Sequence, residues 1–131
     1  MAGGLFSGKI KSADIKPDEG RFGTRADRVG QMYRDRYFKQ GTFNALKIIE
    51  EAAHQHNLTL LEIALRWVVH HSELNTRVKG GNDGVIIGVS NFEQLESNLA
   101  DLEKGPLPEE VVKALDEAWL TAKATAPTYF R

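Results

Sequence analysis

Val85-Ile-Ile-Gly-Val-Ser-Asn-Phe-Glu-Gln-Leu-Glu-Ser-Asn98 is the stretch on which the fold turns. Val85, Ile86 and Ile87 are too short and too β-branched a run for a helix, which predicts a buried strand. Gly88 ends it. Ser90 and Glu93 then have capping-box spacing, so a helix starts at once, with Phe92, Leu95, Leu99 and Leu102 on its core face. A strand running straight into a helix leaves unpaired backbone N–H groups and a positive dipole end at the mouth of a sheet. Such an end is a ready site for phosphate. Asn91, Gln94 and Asn98 recur at helical spacing beside it and are suited to hydrogen-bond an adenosine.

Two further helices precede this stretch and one follows it. Phe43, Leu46, Ile49 and Ala53 repeat at helical spacing between Thr42 and His56. Thr59 and Glu62 form a capping box with Leu58 stapling onto Ile63, and an apolar face of Leu61, Ala64, Leu65, Val68 and Val69 runs to His71. Gly105-Pro106 stops the helix after Ser90. Pro108, Glu109 and Glu110 open the last one, with Val111, Val112, Leu115, Ala118 and Trp119 facing inward. The first forty residues show little periodicity: Met1 to Lys9 reads as a loop or strand tail, and Lys11 to Thr24 as a long excursion. The expectation is about four helices and one strand. A single parallel-type strand cannot make a sheet, so it needs a neighbour from a partner or a longer α/β chain.

The chain has 131 residues, no cysteine, a net charge of −1, and 41% hydrophobic and 27% charged residues. That is the composition of one soluble globular domain, with neither a disulfide framework nor a thiolate metal site. It is about half the roughly 250 residues of a (β/α)₈ barrel, in which the loops after the last two strands carry a phosphate site. No apolar run reaches a membrane span and no leader opens the chain, so a cytoplasmic address is expected.

Gly3-Gly4-Leu-Phe-Ser-Gly8-Lys9 matches the first part of a phosphate-binding P-loop, but Ile10 stands where the magnesium-binding hydroxyl belongs. A looser role in which the glycines let the backbone approach an anion survives. Arg21, Arg25, Arg28, Arg34, Arg36 and Lys39 crowd one segment with Tyr33, Tyr37 and Phe38. The simplest reading is a solvated basic face. The same residues also suit a nucleic-acid patch, or a bidentate grip on phosphate or carboxylate. His54 with His56, and His70 with His71, lack the i, i+4 spacing of a helical zinc pair and read as helix-terminal residues.

Beyond single motifs, the chain resembles the C-terminal part of the aldo-keto reductase family, specifically its aflatoxin-aldehyde reductase branch. The matching landmarks are Ala2 to Lys9, Gly20-Arg21-Phe22, Tyr33-Arg34-Asp35-Arg36, Ala64-Leu-Arg-Trp67 with His70-His71-Ser72, Val85 to Asn98, Glu103-Lys-Gly-Pro-Leu107 and Tyr129-Phe-Arg131. The resemblance implies an α/β fold, the C-terminal part of a (β/α)₈ barrel. This chain would then be one partial domain over residues 1–131, mostly helical with one or two short strands. It implies NADPH as cofactor and hydride transfer to a small-molecule aldehyde or ketone. It assigns the cofactor to Ala2, Gly3, Gly4, Leu5, Phe6, Ser7, Gly8, Lys9, Arg21, Ser90, Asn91, Phe92, Glu93, Gln94 and Asn98, and the substrate to Tyr33, Arg36 and Arg131. The family's catalytic aspartate, tyrosine, lysine and histidine have no counterpart here, and Tyr33, Tyr37 and Tyr129 do not sit in the matching motif. The isolated chain is therefore expected to be inactive, with neither metal, nucleic acid nor membrane as partner, and to form a homo-oligomer through its uncovered apolar faces. The alternative is a non-enzymatic helical binding or assembly module derived from such a reductase.

Overall fold

The computed structural model describes residues 2–15 and 17–128. Five α-helices carry the fold: α1 (Asp27–Tyr37), α2 (Gln40–Gln55), α3 (Leu60–His70), α4 (Phe92–Glu103) and α5 (Glu109–Ala122). Short 3₁₀ turns lie at Ala2–Ser7, Thr24–Ala26, Arg77–Lys79 and Lys123–Thr125.

The core lies between α2, α3 and α5; α2 and α5 enter it through residues of the predicted faces, whereas α3 enters it through Leu60 and Ile63, with Leu61, Ala64 and Val68 of its expected face only half-buried. Phe43, Leu46 and Ile49 of α2 meet Ile63 of α3, Val111 and Ala118 of α5, and Leu5, Ile10 and Phe22 from the first segment. Ile63 and Val111 are completely inaccessible to solvent. Gly41 explains how α2 and α5 come so close: a Cβ there would sit 2.8 Å from Thr125 Oγ1 and 3.2 Å from the Thr121 carbonyl oxygen. Helix α2 ends in a Schellman turn, with Asn57 left-handed (φ +52°), Leu58 N–H donating to the Ala53 carbonyl and Asn57 N–H to the His54 carbonyl. The chain then enters α3, whose Thr59 Oγ1 accepts from Glu62 N–H at 3.0 Å as its spacing predicts. Pro108 stands at the N-cap of α5, with Glu109 and Glu110 in the first turn.

The structure corrects the sequence reading at several places. Val85–Ile87 is not a strand: among the described residues the only β-pairing is an isolated parallel bridge between Thr76 and Asp83, and Ile86 is fully exposed. An apolar run becomes a strand only when a neighbour supplies the ladder, and none is present here. The capping box at the start of α4 is shifted by one residue. Asn91 Oδ1 accepts from Gln94 N–H at 2.9 Å, and Gln94 Oε1 accepts from Ser90 N–H at 3.0 Å. The expected core face of α4 is only partly covered: Phe92 is 69% and Leu99 47% exposed and Leu95 and Leu102 are half-buried, while Asn98 and Asp101 are buried. Helix α4 meets α3 along that polar edge instead. Trp119 is also exposed rather than inward. Residues Asp27–Tyr37, within the stretch whose sequence shows little periodicity, form a separate helix, and Ala2–Ser7 is a 3₁₀ turn rather than a strand tail.

Candidate functional site

Three segments converge on the buried ring of Phe22. The first is the Ala2–Ser7 turn. Ala2, Gly3, Gly4 and Gly8 all have positive φ, at 42°, 68°, 112° and 71°. Leu5 is buried and anchors the turn, and Phe6 packs on the core. Ser7 and Lys9 are exposed, with Lys9 N–H donating to Ser7 Oγ at 3.4 Å. A Cβ at Gly3 would fall 2.9 Å from both Phe22 Cζ and Tyr33 Cδ1, so only glycine lets the turn rest on those rings. Gly4 has open space around it. Successive backbone N–H groups in a turn are the kind of donors that can make an anion-binding concavity.

The second segment is the turn from Pro17 to Thr24, closed by Thr24 N–H to the Pro17 carbonyl and Gly23 N–H to the Gly20 carbonyl, both at 2.9 Å. Arg21 stands exposed at its tip, with its guanidinium carbon 5.8 Å from the Tyr33 ring centroid. Phe22, next in sequence, is buried against Tyr33, Tyr37 and Phe38, with the Phe38 ring stacked at 5.1 Å.

The third is α1, which presents Tyr33, Arg36 and Tyr37 on one side. The two tyrosine rings stack at 6.3 Å, and the Arg36 guanidinium lies 5.9 Å from both. Arg36 Nε is buried and has no hydrogen-bond partner. The sequence-predicted residues Gly3, Arg21, Tyr33 and Arg36 are thus brought together. Arg131 lies outside the described residues. Phe22 and Arg34, which organise this cluster, were not singled out as site residues. The available signal was an aromatic flanked by Arg21 and Gly23 within an otherwise polar run.

Ser90, Asn91, Phe92, Glu93 and Gln94 are all exposed at the open N-terminus of α4. Asn98 is only 7% exposed, and its Oδ1 has no hydrogen-bond partner. Among the described residues, no hydrogen bond, ion pair or ring contact joins this helix start to the Phe22 cluster. The structure thus places the predicted residues in two separate groups.

An apolar cavity of about 680 Å³ lies beside the first turn, lined by Leu46, Ile49, Ala64, Trp67, Val68 and Trp119 among others. A shallower one of about 460 Å³ runs along α1 past Arg28, Met32 and Arg36.

The perturbed ionisable groups lie elsewhere, in a brace between α3 and the segment leading to α5. Burial pushes the Glu62 carboxyl up, but hydrogen bonds and charge from Lys104 (3.1 Å) and Arg66 (2.8 Å) outweigh it and hold its pKa below the ordinary value. Arg66 also donates to the Gly105 and Pro106 carbonyls, and His70 Nε2 lies 2.8 Å from the Lys104 carbonyl. His71 Nε2 accepts from Leu107 N–H at 2.9 Å; burial, then the charges of His70, Arg66 and Lys79, lower its pKa. These histidines are structural clasps at the end of α3. Among the described residues no group of three His, Cys, Asp or Glu side chains could hold a metal, and no helix is long and apolar enough to cross a membrane.

The family model for the aldo/keto reductase family matches residues 1–120. The chain is 43% identical over 133 residues to an aldo-keto reductase of Pseudocercospora fijiensis, an alignment covering 99% of this chain and 43% of that protein. It is 41% identical to aflatoxin B1 aldehyde reductase member 2 of Mus musculus and 39% to aldo-keto reductase family 7 member A3 of Homo sapiens. Those alignments cover all of this chain but 36% and 40% of the relatives. The chain therefore spans about two-fifths of the length of the curated relatives it matches, along essentially its whole extent. It belongs to the aldo/keto reductase family.

Proposed function

We propose that this chain is the cofactor-tail and substrate-clamp portion, a single partial domain over residues 1–131, of an NADPH-dependent (β/α)₈-barrel reductase that converts aldehydes or ketones to alcohols. The observation that carries the reading is the convergence of the left-handed Ala2–Gly4 backbone, Arg21, Tyr33 and Arg36 around Phe22. The similarity to aflatoxin-aldehyde reductases along the whole chain supports the substrate class.

The residues present fit a dinucleotide phosphate. The open space at Gly4 and the exposed Lys9 and Arg21 suit a pyrophosphate approaching backbone N–H groups closely. Ser90, Asn91 and Gln94 at the start of α4, with Phe92 and Glu93 in its first turn, suit the 2′-phosphate and adenine. The buried, unpaired Asn98 Oδ1 is relieved by an incoming N–H donor, since an orphaned acceptor costs about 1–3 kcal/mol. The nicotinamide, when bound, supplies the hydride. The chain's own work is to bind and orient. Arg36, propped between two tyrosine rings with its Nε unpaired, is placed to take a substrate carboxylate, and Arg131 joins it by resemblance. No tyrosine of this chain is assigned as proton donor. The protein is proposed to be cytoplasmic.

NADPH titrated into the 131-residue chain should quench Trp67 or Trp119 fluorescence saturably, and Arg21→Ala should weaken that binding. With succinic semialdehyde the chain alone should not oxidise NADPH above background. Absence of any NADPH binding overturns the cofactor assignment, and turnover overturns the division of labour. The exposed Ile86, Phe92, Leu99 and Leu120 favour a second reading, an assembly module that self-associates. A homo-oligomer by sedimentation without NADPH binding would select it.

A further inference from the structure

Arg34 lies between two assigned substrate residues yet does not present its guanidinium to solvent as a ligand-binding arginine would. Its Nη1 donates to the Phe22 carbonyl at 2.7 Å and to the Gly23 carbonyl at 3.0 Å, and its Nη2 to Gln31 Oε1 at 3.1 Å. Gln31 is held in turn by donating to Asp35 Oδ1 at 2.6 Å. One edge of the guanidinium is therefore committed to the two backbone carbonyls that follow Arg21.

The turn it grips has no slack. Phe22 is 2% exposed and wedged among three aromatic rings. A Cβ at Gly23 would lie 2.8 Å from the Glu19 carbonyl carbon and 2.9 Å from the Gly20 carbonyl oxygen, so the turn is closed on itself. Arg21 is bonded directly to the wedge. Displacing its backbone requires extracting Phe22 from the core or breaking two charge-assisted hydrogen bonds.

We infer that Arg34 is a positioning residue, with Phe22 as its wedge, which holds the Pro17–Thr24 turn on α1 so that Arg21 is preorganised toward a cofactor phosphate beside Tyr33 and Arg36. The inference rests on the reading that Arg21 takes such a phosphate. Preorganisation removes the ordering cost that a free loop meets on binding.

The test is a double-mutant cycle on the full chain, read by NADPH titration against tryptophan fluorescence. Arg34→Met should weaken NADPH binding about tenfold, the scale of a lost charge-assisted contact. Arg34→Lys, which keeps a donor for one carbonyl, should recover part of the loss. Arg28→Met removes the same charge from an exposed site on the same helix and should change binding by less than about twofold, separating position from net charge. In the Arg21→Met background, Arg34→Met should cost almost nothing more, because a residue acting through Arg21 has nothing left to position. Additive losses, or equal losses from Arg28→Met, overturn the inference while leaving the cofactor reading intact. If the wild-type chain binds no NADPH, the cofactor reading fails and takes the inference with it. Should Arg34→Met not fold by circular dichroism, Arg34→Lys carries the same cycle.

Discussion

His71 offers the sharpest test of how this fold is held together. Its Nε2 accepts the N–H of Leu107, a buried core residue between α4 and α5, so the ring must be the neutral Nδ1–H tautomer. A proton on Nε2 turns the acceptor into a donor and sets two N–H groups against each other. Burial and the nearby His70, Arg66 and Lys79 already oppose that proton and place the folded pKa below the ordinary 6.5. The unfolded chain then binds more protons in the window below 6.5, so stability rises with pH there and is lost as pH falls through the folded value. The full cost of orphaning the Leu107 N–H is about 1–3 kcal/mol, or on the order of 4 °C in Tm per kcal/mol for a domain of this size. Urea melts followed by Trp67 and Trp119 fluorescence between about pH 5 and pH 8 measure it. His71→Leu should lose that stability at neutral pH. His71→Gln, whose amide oxygen can accept the same N–H without titrating, should flatten the profile between pH 5 and pH 7. A wild-type profile as flat as that of His71→Gln, or an acid decline unchanged in the Gln variant, refutes the reasoning.

Glu62→Gln leaves Arg66 and Lys104 without their shared anion and should lower stability by about 1–3 kcal/mol at neutral pH. Because the folded Glu62 pKa is depressed, the wild-type advantage is present above the ordinary value of 4.5 and should fade as urea midpoints are taken to more acid pH. Gly3→Ala combines a left-handed backbone with a Cβ 2.9 Å from two rings; it should cost about 1–3 kcal/mol and weaken NADPH binding in the same titration. Ile63→Ala empties a fully buried position at the junction of α2, α3 and α5 and should cost about 2–5 kcal/mol by urea midpoint, with the m-value unchanged.

Elements whose signals are local were legible in the sequence. Thr59 caps α3 because its hydroxyl satisfies an orphaned N–H of its own turn, and Pro108 starts α5 because its fixed φ suits the entry and no N–H of its own needs a partner. The start of α4 was off by one because Ser90 and Asn91 are both good caps, and Glu93 and Gln94 both suit the third helical position. Only the folded chain chooses between the two frames. Helix α1 was hidden because its core-facing stripe is made of Tyr33 and Tyr37 beside arginines, while its aliphatic Val29 and Met32 are exposed. The site residues of the first forty positions came from family resemblance, and their convergence on Phe22 could not have come from spacing. Phe22 joins segments more than ten residues apart through ring contacts that no periodicity records.

The remaining disagreements share one cause. Ile86, Phe92, Leu99 and Trp119 all fit apolar positions in the sequence pattern and all lie at the surface. The pattern is sound within α2, where Phe43, Leu46, Ile49 and Ala53 all find partners in this chain. Hydrophobic spacing states which side of an element wants covering; it does not state what covers it. Between residue 85 and the end of α4, Ile86, Phe92 and Leu99 point away from everything this chain supplies, whereas α5 returns Val111 and Ala118 to the core; α4 ends on the polar edge where Lys104 reaches Asp101 and Glu62 of α3. That arrangement gives the Ile86→Lys and Phe92→Lys substitutions a defined meaning. They should leave the stability of the isolated chain, read from the urea midpoint, within about 0.5 kcal/mol, since Ile86 is fully and Phe92 largely exposed. They should abolish any self-association seen by sedimentation. A large loss of monomer stability from either substitution would mean that residues 85–92 pack on this chain's own core in solution, and the division between a self-sufficient core and an uncovered seam would fail.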